Sequence, residues 1–223
     1  MSPVWLSVTV GFAATAVSLP PGIAVAWLLE RGRFPGRGLL HVLVLLPLAL
    51  PPVVTGYLRL WLFSPRGDLG RALARAGLPV AFHWLGAAVA AAVVGFPLLV
   101  MSVSLALKAV DARLETMSRS LGRGRWATFC RVTLPLAWPG ILAGAVLSFA
   151  RGLGEFGATI VLAGRIPGET ETLPLAVYAL LDQPGRDVEV RRLVLLSVGL
   201  ALIGVILARV LDRRHRRRLE LAR

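Results

Sequence analysis

The chain is poor in the residues that most chemistry uses. It has one cysteine, Cys130, one lysine, Lys108, and three histidines among 223 residues. A single cysteine excludes an internal disulfide. His41, His83 and His215 are too far apart in sequence for the usual metal-ligand spacings. No cluster of His, Asp or Cys at catalytic spacing points to a membrane-embedded enzyme. Lys108 follows a leucine, so the Gly-Lys pair of a phosphate-cradling P-loop is missing. Any ATP-driven work therefore falls to another polypeptide. Charge is scarce as well. Charged residues make up 17% of the chain and fall in clusters, whereas 56% of residues are apolar, and the mean hydropathy is +0.73. That balance excludes an ordinary soluble domain.

Between the charged clusters, apolar runs reach the roughly 20 residues that a helix needs to cross a bilayer. Five spans are expected, at about 4–29, 39–63, 84–107, 136–163 and 193–211, all in a single transmembrane domain over residues 1–223. The first run is too long for a signal-peptide core and has no basic segment before it, so it reads as a retained span. The net charge of +13 raises nucleic acid as a partner, but the basic residues sit at the ends of the apolar runs. Fifteen lie on one side, in 31–37, 108–131 and the tail, against seven on the other. By the positive-inside rule the richer side is cytoplasmic, giving N-terminus out and C-terminus in. The RRHRRR run at 213–218 reads as an anchor against anionic lipid, and Arg59 as a side chain that snorkels to the interface in preference to a role in the pathway.

Pro47, Pro51 and Pro52 fall inside the second span and predict a bent or broken helix. The break is either a plain proline kink or irregular backbone lining a wet path. No repeat of 20–50 residues is evident, and five spans do not halve into inverted repeats, which weakens the case for a secondary transporter of that type. Five helices make a poor wall around a hydrated path, so a homodimer or larger assembly is expected.

The connection 108–135 reads KAVDARLETMSRSLGRGRWATFCRVTLP. Val110, Leu114, Met117 and Leu121 form one stripe of a short helix, with Asp111 as N-cap and Gly122 as the residue that ends it. Arg113, Glu115 and Arg119 occupy its polar face. Such a helix either lies on headgroups or docks in a groove of a partner protein. A leucine-173 to leucine-181 helix is expected in the other long connection, 164–192, as a possible contact for an external protein.

In the fourth span, Arg151 and Glu155 are four residues apart and can pair on one helix face if the helix is continuous, while Gly152, Gly154 and Gly157 allow close helix contact or a local break. Counting from Pro139 places Arg151 near mid-membrane. A charge there faces the protein interior or a wet cavity. The pair is either a clamp within the bundle or part of a gate. Thr55 and Thr159 join Arg151 and Glu155 as candidates for the gate or passage lining.

Several stretches carry a family resemblance. The Gly122 to Val-Thr-Leu-Pro spacing, closing on Leu134 and Pro135, resembles the EAA motif of ABC importer permeases. Here Thr116, Met117 and Ser118 stand where the motif has E-A-A, and Glu115 lies one residue upstream. The stretches RGLGEFGAT (151–159), IPGET (166–170), LPLAVY (173–178), FPGRGLL (34–40), LPLALPPVVTGY (46–57) and LGRGRWATF (121–129) resemble the molybdate branch of those permeases. The related sulfate permeases tend toward G-E-Y-G-S where this chain has Glu155 to Thr159. The resemblance implies an all-α integral membrane protein with the type I ABC importer permease fold and a cytoplasmic coupling helix. It implies that Glu115, Thr116, Met117, Ser118, Gly122, Leu134 and Pro135 form the ATPase-coupling segment. It further implies a second copy of the chain, two ABC ATPase subunits that bind ATP and Mg, and an extracytoplasmic oxyanion-binding protein. The place is the bacterial cytoplasmic (inner) membrane and the process alternating access, with molybdate as substrate. Sulfate or tungstate import, and ATP-independent secondary transport, remain the alternatives.

Overall fold

The computed structural model describes residues 2–181 and 183–221, with side chains through residue 210. The arginines at 213–218, read above as a lipid anchor, and Asp182 lie outside the described side chains. All regular elements among the described residues are helical. In chain order they are α1 (Pro3–Arg31), α2 (Arg37–Ala49), α3 (Pro52–Phe63), α4 (Asp68–Arg75), α5 (Trp84–Ala109) and α6 (Ala112–Ser120). Then come α7 (Arg125–Thr128), a π-helical turn (Phe129–Thr133), α8 (Leu134–Leu153), α9 (Gly157–Leu162), α10 (Leu173–Leu181) and α11 (Asp187–Leu221).

Among the described residues, four helices are long and apolar enough to cross a membrane, and the α2–α3 pair makes a fifth span if the two are counted together. That agrees with the five expected spans, but two of them depart from a single rod. The second span is broken at Leu50 and Pro51, and its halves are bent by 111° relative to each other. Pro51 and Pro52 supply no backbone donor, so the α2 ladder cannot continue into α3. The fourth span does not run over 136–163. A continuous helix begins earlier, at Arg125, passes through the π-turn and ends at Leu153. Arg151 thus lies in the last turn of the span, not at its middle. The extra residues at the start and the stop at Gly154 shift the whole count.

The core is the packing of α1, α5 and α8, where Leu99, Val103, Leu107, Ala137 and Ile141 are fully buried. Lipid tails are as apolar as leucine, so association of these helices relies on close packing of small residues more than on hydrophobic transfer. Gly144 on α8 shows how close this is. A Cβ there would fall 2.8 Å from the Cβ of Ser102 on α5. α3 crosses α9 at similarly short range, with Gly56 against the backbone of Ala158 and Gly157 against Pro52. α11 is left largely uncovered, and Leu195, Leu202, Ile203 and Ile206 are exposed along it.

Gly144→Val is expected to lower the thermal unfolding midpoint in detergent by the equivalent of about 1–3 kcal/mol, as overpacking of a tight core does. Gly199→Val in α11, where an added Cβ meets open space, is expected to leave it unchanged. Equal midpoints for the two variants would contradict the close-packed account of the α5–α8 contact.

Candidate functional site

Two clusters of buried charge hold the candidate residues, one near each end of α8. The first forms around α6. Its N-cap is Asp111, whose carboxylate accepts from the Arg113 N–H at 2.8 Å, and it ends at Gly122, held at φ +79°. A left-handed φ of that kind suits glycine and strains any residue with a Cβ. The helix is therefore short for the reasons the sequence suggests.

Which face it buries is a different matter. Glu115 and Ser118 point inward, and Glu115 is only 5% exposed. Its Oε1 accepts from Nε and Nη2 of Arg31 at 3.2 and 3.1 Å, and from the Thr133 hydroxyl at 2.9 Å. Arg31 Nη2 also donates to the carbonyl of Leu107 at 3.1 Å. One carboxylate thus joins the end of α1, the end of α5, α6 and the π-turn. Ser118 shares a hydrogen bond of 3.1 Å with Thr128 on α7. Meanwhile Val110 is buried but Leu114, Met117 and Leu121 are 43, 63 and 81% exposed. The apolar stripe faces away from the bundle and the acidic residue toward it, the reverse of an amphipathic helix seated on its own protein.

This arrangement divides the expected coupling residues. Thr116, Met117 and Gly122 lie on accessible surface. Glu115 and Ser118 are internal ties and cannot touch a partner in this arrangement. Leu134 packs partly buried against the core, whereas Pro135 is exposed. Arg31 and Thr133, which complete the Glu115 cluster, were missed. Arg31 reads in sequence as one more interfacial charge, and nothing local signals a partner 84 residues away.

The second cluster lies where α8 gives way to α9. Glu155, 3% exposed, places Oε2 at 3.3 Å from Nη1 of Arg151. Its Oε1 accepts from the Ala158 N–H at 2.9 Å. The expected Arg151–Glu155 pair is therefore present, but not on a continuous helix. The chain breaks at Gly154, and Glu155 closes the first turn of α9 with its side chain. Thr159, fully buried, borders a small void with Glu155, Ser7 and Thr172. Thr55 is apart from that void, on α3, and donates to the carbonyl of Pro52 at 2.9 Å.

Arg59 does not snorkel. It is 8% exposed, its Nη1 has no hydrogen-bond partner, and it lies within electrostatic reach of Glu155. The bend of 111° explains the error, because it turns α3 across α9 instead of carrying Arg59 on toward the interface. Among the described residues, no three His, Cys, Asp or Glu side chains are grouped to hold a metal ion.

The Glu115 tie should be cooperative. Glu115→Gln and Arg31→Gln are each expected to cost about 1.5–3 kcal/mol of stability, the range for hydrogen bonds to charged groups. The double variant should cost less than the two together, since the interaction is lost only once. Additive losses in thermal or denaturant unfolding would show that the two side chains act independently.

Residues 19–217 match the family described as binding-protein-dependent transport system inner membrane component. The chain is 50% identical over 216 residues to the molybdenum transport system permease protein ModB of Escherichia coli (strain K12), covering 96% of this chain and 94% of that protein. It is 44% identical over 220 residues to ModB of Haemophilus influenzae, covering 98 and 96%. The sulfate transport system permease protein CysT of Escherichia coli (strain K12) is 43% identical over 162 residues, covering 73% of this chain and 58% of CysT. The fold is similar to a chain of the MetNI methionine ABC transporter, solved in inward-facing conformations, with a TM-score of 0.64 at 19% identity over 99% of this chain and 94% of that one.

Proposed function

Belonging to the family of binding-protein-dependent transport system inner membrane components, this chain is a membrane permease subunit, and we propose that it carries molybdate into the cytoplasm as half of a homodimer driven by two separate ATPase subunits. The observation that carries the coupling part of this reading is the inverted face of α6. Leu114, Met117 and Leu121 project from a helix whose other side is pinned by Glu115. An exposed apolar ridge on a tethered helix suits insertion into a groove of a protein partner. A helix lying on headgroups has no need of a buried ionic tether beneath it.

The tether also supplies a route for force. Movement of α6 reaches α1 through Arg31 and α8 through Thr133, with a single carboxylate as the joint. ATP and Mg belong to the partner in this reading, because the chain has no P-loop of its own. ATP would close the ATPase pair, the two copies of α6 would follow, and the spans would open outward. Hydrolysis and release would return them. Arg59, Arg151, Glu155, Thr55 and Thr159 sit on or beside the α3–α9 crossing, the region proposed to gate the path. Two broken spans meet there, and irregular backbone at membrane depth belongs beside protein or water.

The bias of basic residues supports an N-terminus outside and a C-terminus in the cytoplasm of a bacterial inner membrane. Molybdate is preferred to sulfate because the relatives named for molybdenum are similar over nearly the full chain, while the named sulfate permease aligns over 73% of it. An external oxyanion-binding protein would deliver the substrate, and α10 offers it an outer surface.

Labelled molybdate uptake in cells lacking their own system tests this directly. Uptake is expected only when this chain, its cognate ATPase and its binding protein are all present, with competition by tungstate and weak competition by sulfate. Uptake by this chain alone, collapsing with the proton or sodium gradient, would replace the reading with secondary transport. Strong sulfate competition would move the substrate. Gly122→Val, which forces a Cβ into a left-handed turn, is expected to abolish uptake while ATPase activity and membrane insertion persist. Normal uptake in that variant would remove α6 from the coupling role.

A further inference from the structure

A cleft of about 950 Å³ opens beside α6, bounded by the last turn of α1, the 32–36 connection, the start of α2, and α7. Its charge is unbalanced. Arg31, Arg33, Arg37, Arg119 and Arg125 line it together with two carboxylates, Glu30 and Glu115. Both carboxylates are already engaged, Glu115 with Arg31 and Arg119, and Glu30 with Lys108 at 3.5 Å. Arg33, Arg37 and Arg125 are exposed and have no ion-pair partner among the described side chains. Three arginines from α7 and both sides of the α1–α2 turn thus line one cleft without an anion of the chain's own to pair with.

Apart from Thr116, Thr128 and Thr133, the rest of the cleft is apolar. Trp27, Leu28 and Phe129 form its wall, and the exposed Trp126 stacks on Phe129 with ring centroids 5.5 Å apart. The cleft lies where two apolar helices, α1 and α2, meet a polar connection, which is the depth of the membrane–water interface, where tryptophan is enriched. Guanidinium forks match phosphate oxygens, and basic clefts between spanning helices receive anionic headgroups. A free oxyanion would use the arginines and leave the aromatic wall without a purpose.

We propose that this cleft binds the phosphate headgroup of an anionic phospholipid, with its glycerol and upper acyl region along Trp27 and Leu28. The bound lipid bridges α2 to α7 past α6, so that membrane charge stabilises the arrangement in which the Glu115 tie is closed. Its siting in the cytoplasmic leaflet rests on the orientation proposed above, whereas the binding itself does not.

The test uses the full chain extracted from liposomes of equal phosphatidylglycerol and phosphatidylcholine, with retained lipid read by native mass spectrometry. The wild type is expected to retain phosphatidylglycerol preferentially. Each arginine removed should cut that preference about fivefold, from ~1 kcal/mol per basic residue near an anionic surface, so R33Q/R37Q/R125Q should abolish it. R66Q/R71Q/R75Q, on the opposite side, should retain it. If the triple variant fails to insert, Arg125→Gln alone still reads the fivefold loss. Unchanged enrichment in R125Q or in the triple variant overturns the proposal. Displacement of the lipid by millimolar molybdate or phosphate would assign the cleft to free oxyanions instead, and its release by the purified ATPase subunit would assign it to protein docking. Orientation is read separately, in a Cys130→Ser background carrying Gly38→Cys. Labelling of that cysteine from outside the cell by an impermeant maleimide would overturn the topology and leave the lipid result standing.

Discussion

The structure depends on a carboxylate that has little access to water. Glu115 is buried beneath α6 and contacts Arg31 and Thr133, while Arg31 also reaches the Leu107 carbonyl. An isolated carboxylate in that position would be costly, and removing one partner of such a pair leaves an uncompensated charge. The cost falls on geometry. Three helix ends must stay within hydrogen-bond distance of one another for the charge to remain satisfied. α6, only nine residues long, is too short to be a stable helix by itself in water. Its form is imposed by the Asp111 cap, the Gly122 stop and the Glu115 tether.

A fixed inner face makes the outer face meaningful. Leu114, Met117 and Leu121 would turn inward on an untethered helix, since burial of apolar surface would favour it. They stay exposed because rotating α6 would break the contacts of Glu115 and Ser118. The ridge therefore persists whether or not a partner is present. A partner that seats on it meets a preorganised surface and loses little freedom in ordering it. Under the proposed function, this is the property a coupling helix requires.

Much of this was legible in the sequence, and what was not has a common physical cause. Span number, the Asp111 and Gly122 boundaries of α6, the Arg151–Glu155 pair and the Leu173–Leu181 helix follow from local pattern: apolar run length, cap chemistry and i,i+4 spacing. The burial of Glu115 does not. On a helical wheel it groups with Arg119, four residues on, and only Arg31 and Thr133, distant in sequence, turn it inward. Arg59 shows the same limit. Read along a straight helix it reaches the interface, and the 111° turn at Pro51 and Pro52 sends it into the protein instead. The prolines announce a break, but not its direction, and the bent arrangement brings α3 and α9 into close contact at Gly56 and Gly157. Glycine in a sequence does not say what it will face.

Placed side by side, the two buried glutamates give α8 its mechanical character. At its start, Thr133 is bonded to Glu115, and in its last turn Arg151 is bonded to Glu155. Thr133 and Arg151 stand 18 residues apart along this helix, a rod of roughly 27 Å. The rod is held along its length by close contacts with α5, such as Gly144 against Ser102. Interiors packed this tightly respond by switching between arrangements more readily than by yielding gradually. A displacement at α6 would then arrive at the α8–α9 break largely undiminished. There the helix breaks within the Gly152 to Gly157 segment, where Glu155 is bonded to Arg151 and lies within electrostatic reach of Arg59. Under the proposed function, close packing along the rod and a glycine-rich break at its end suit the transmission of movement from the ATPase side to the gate.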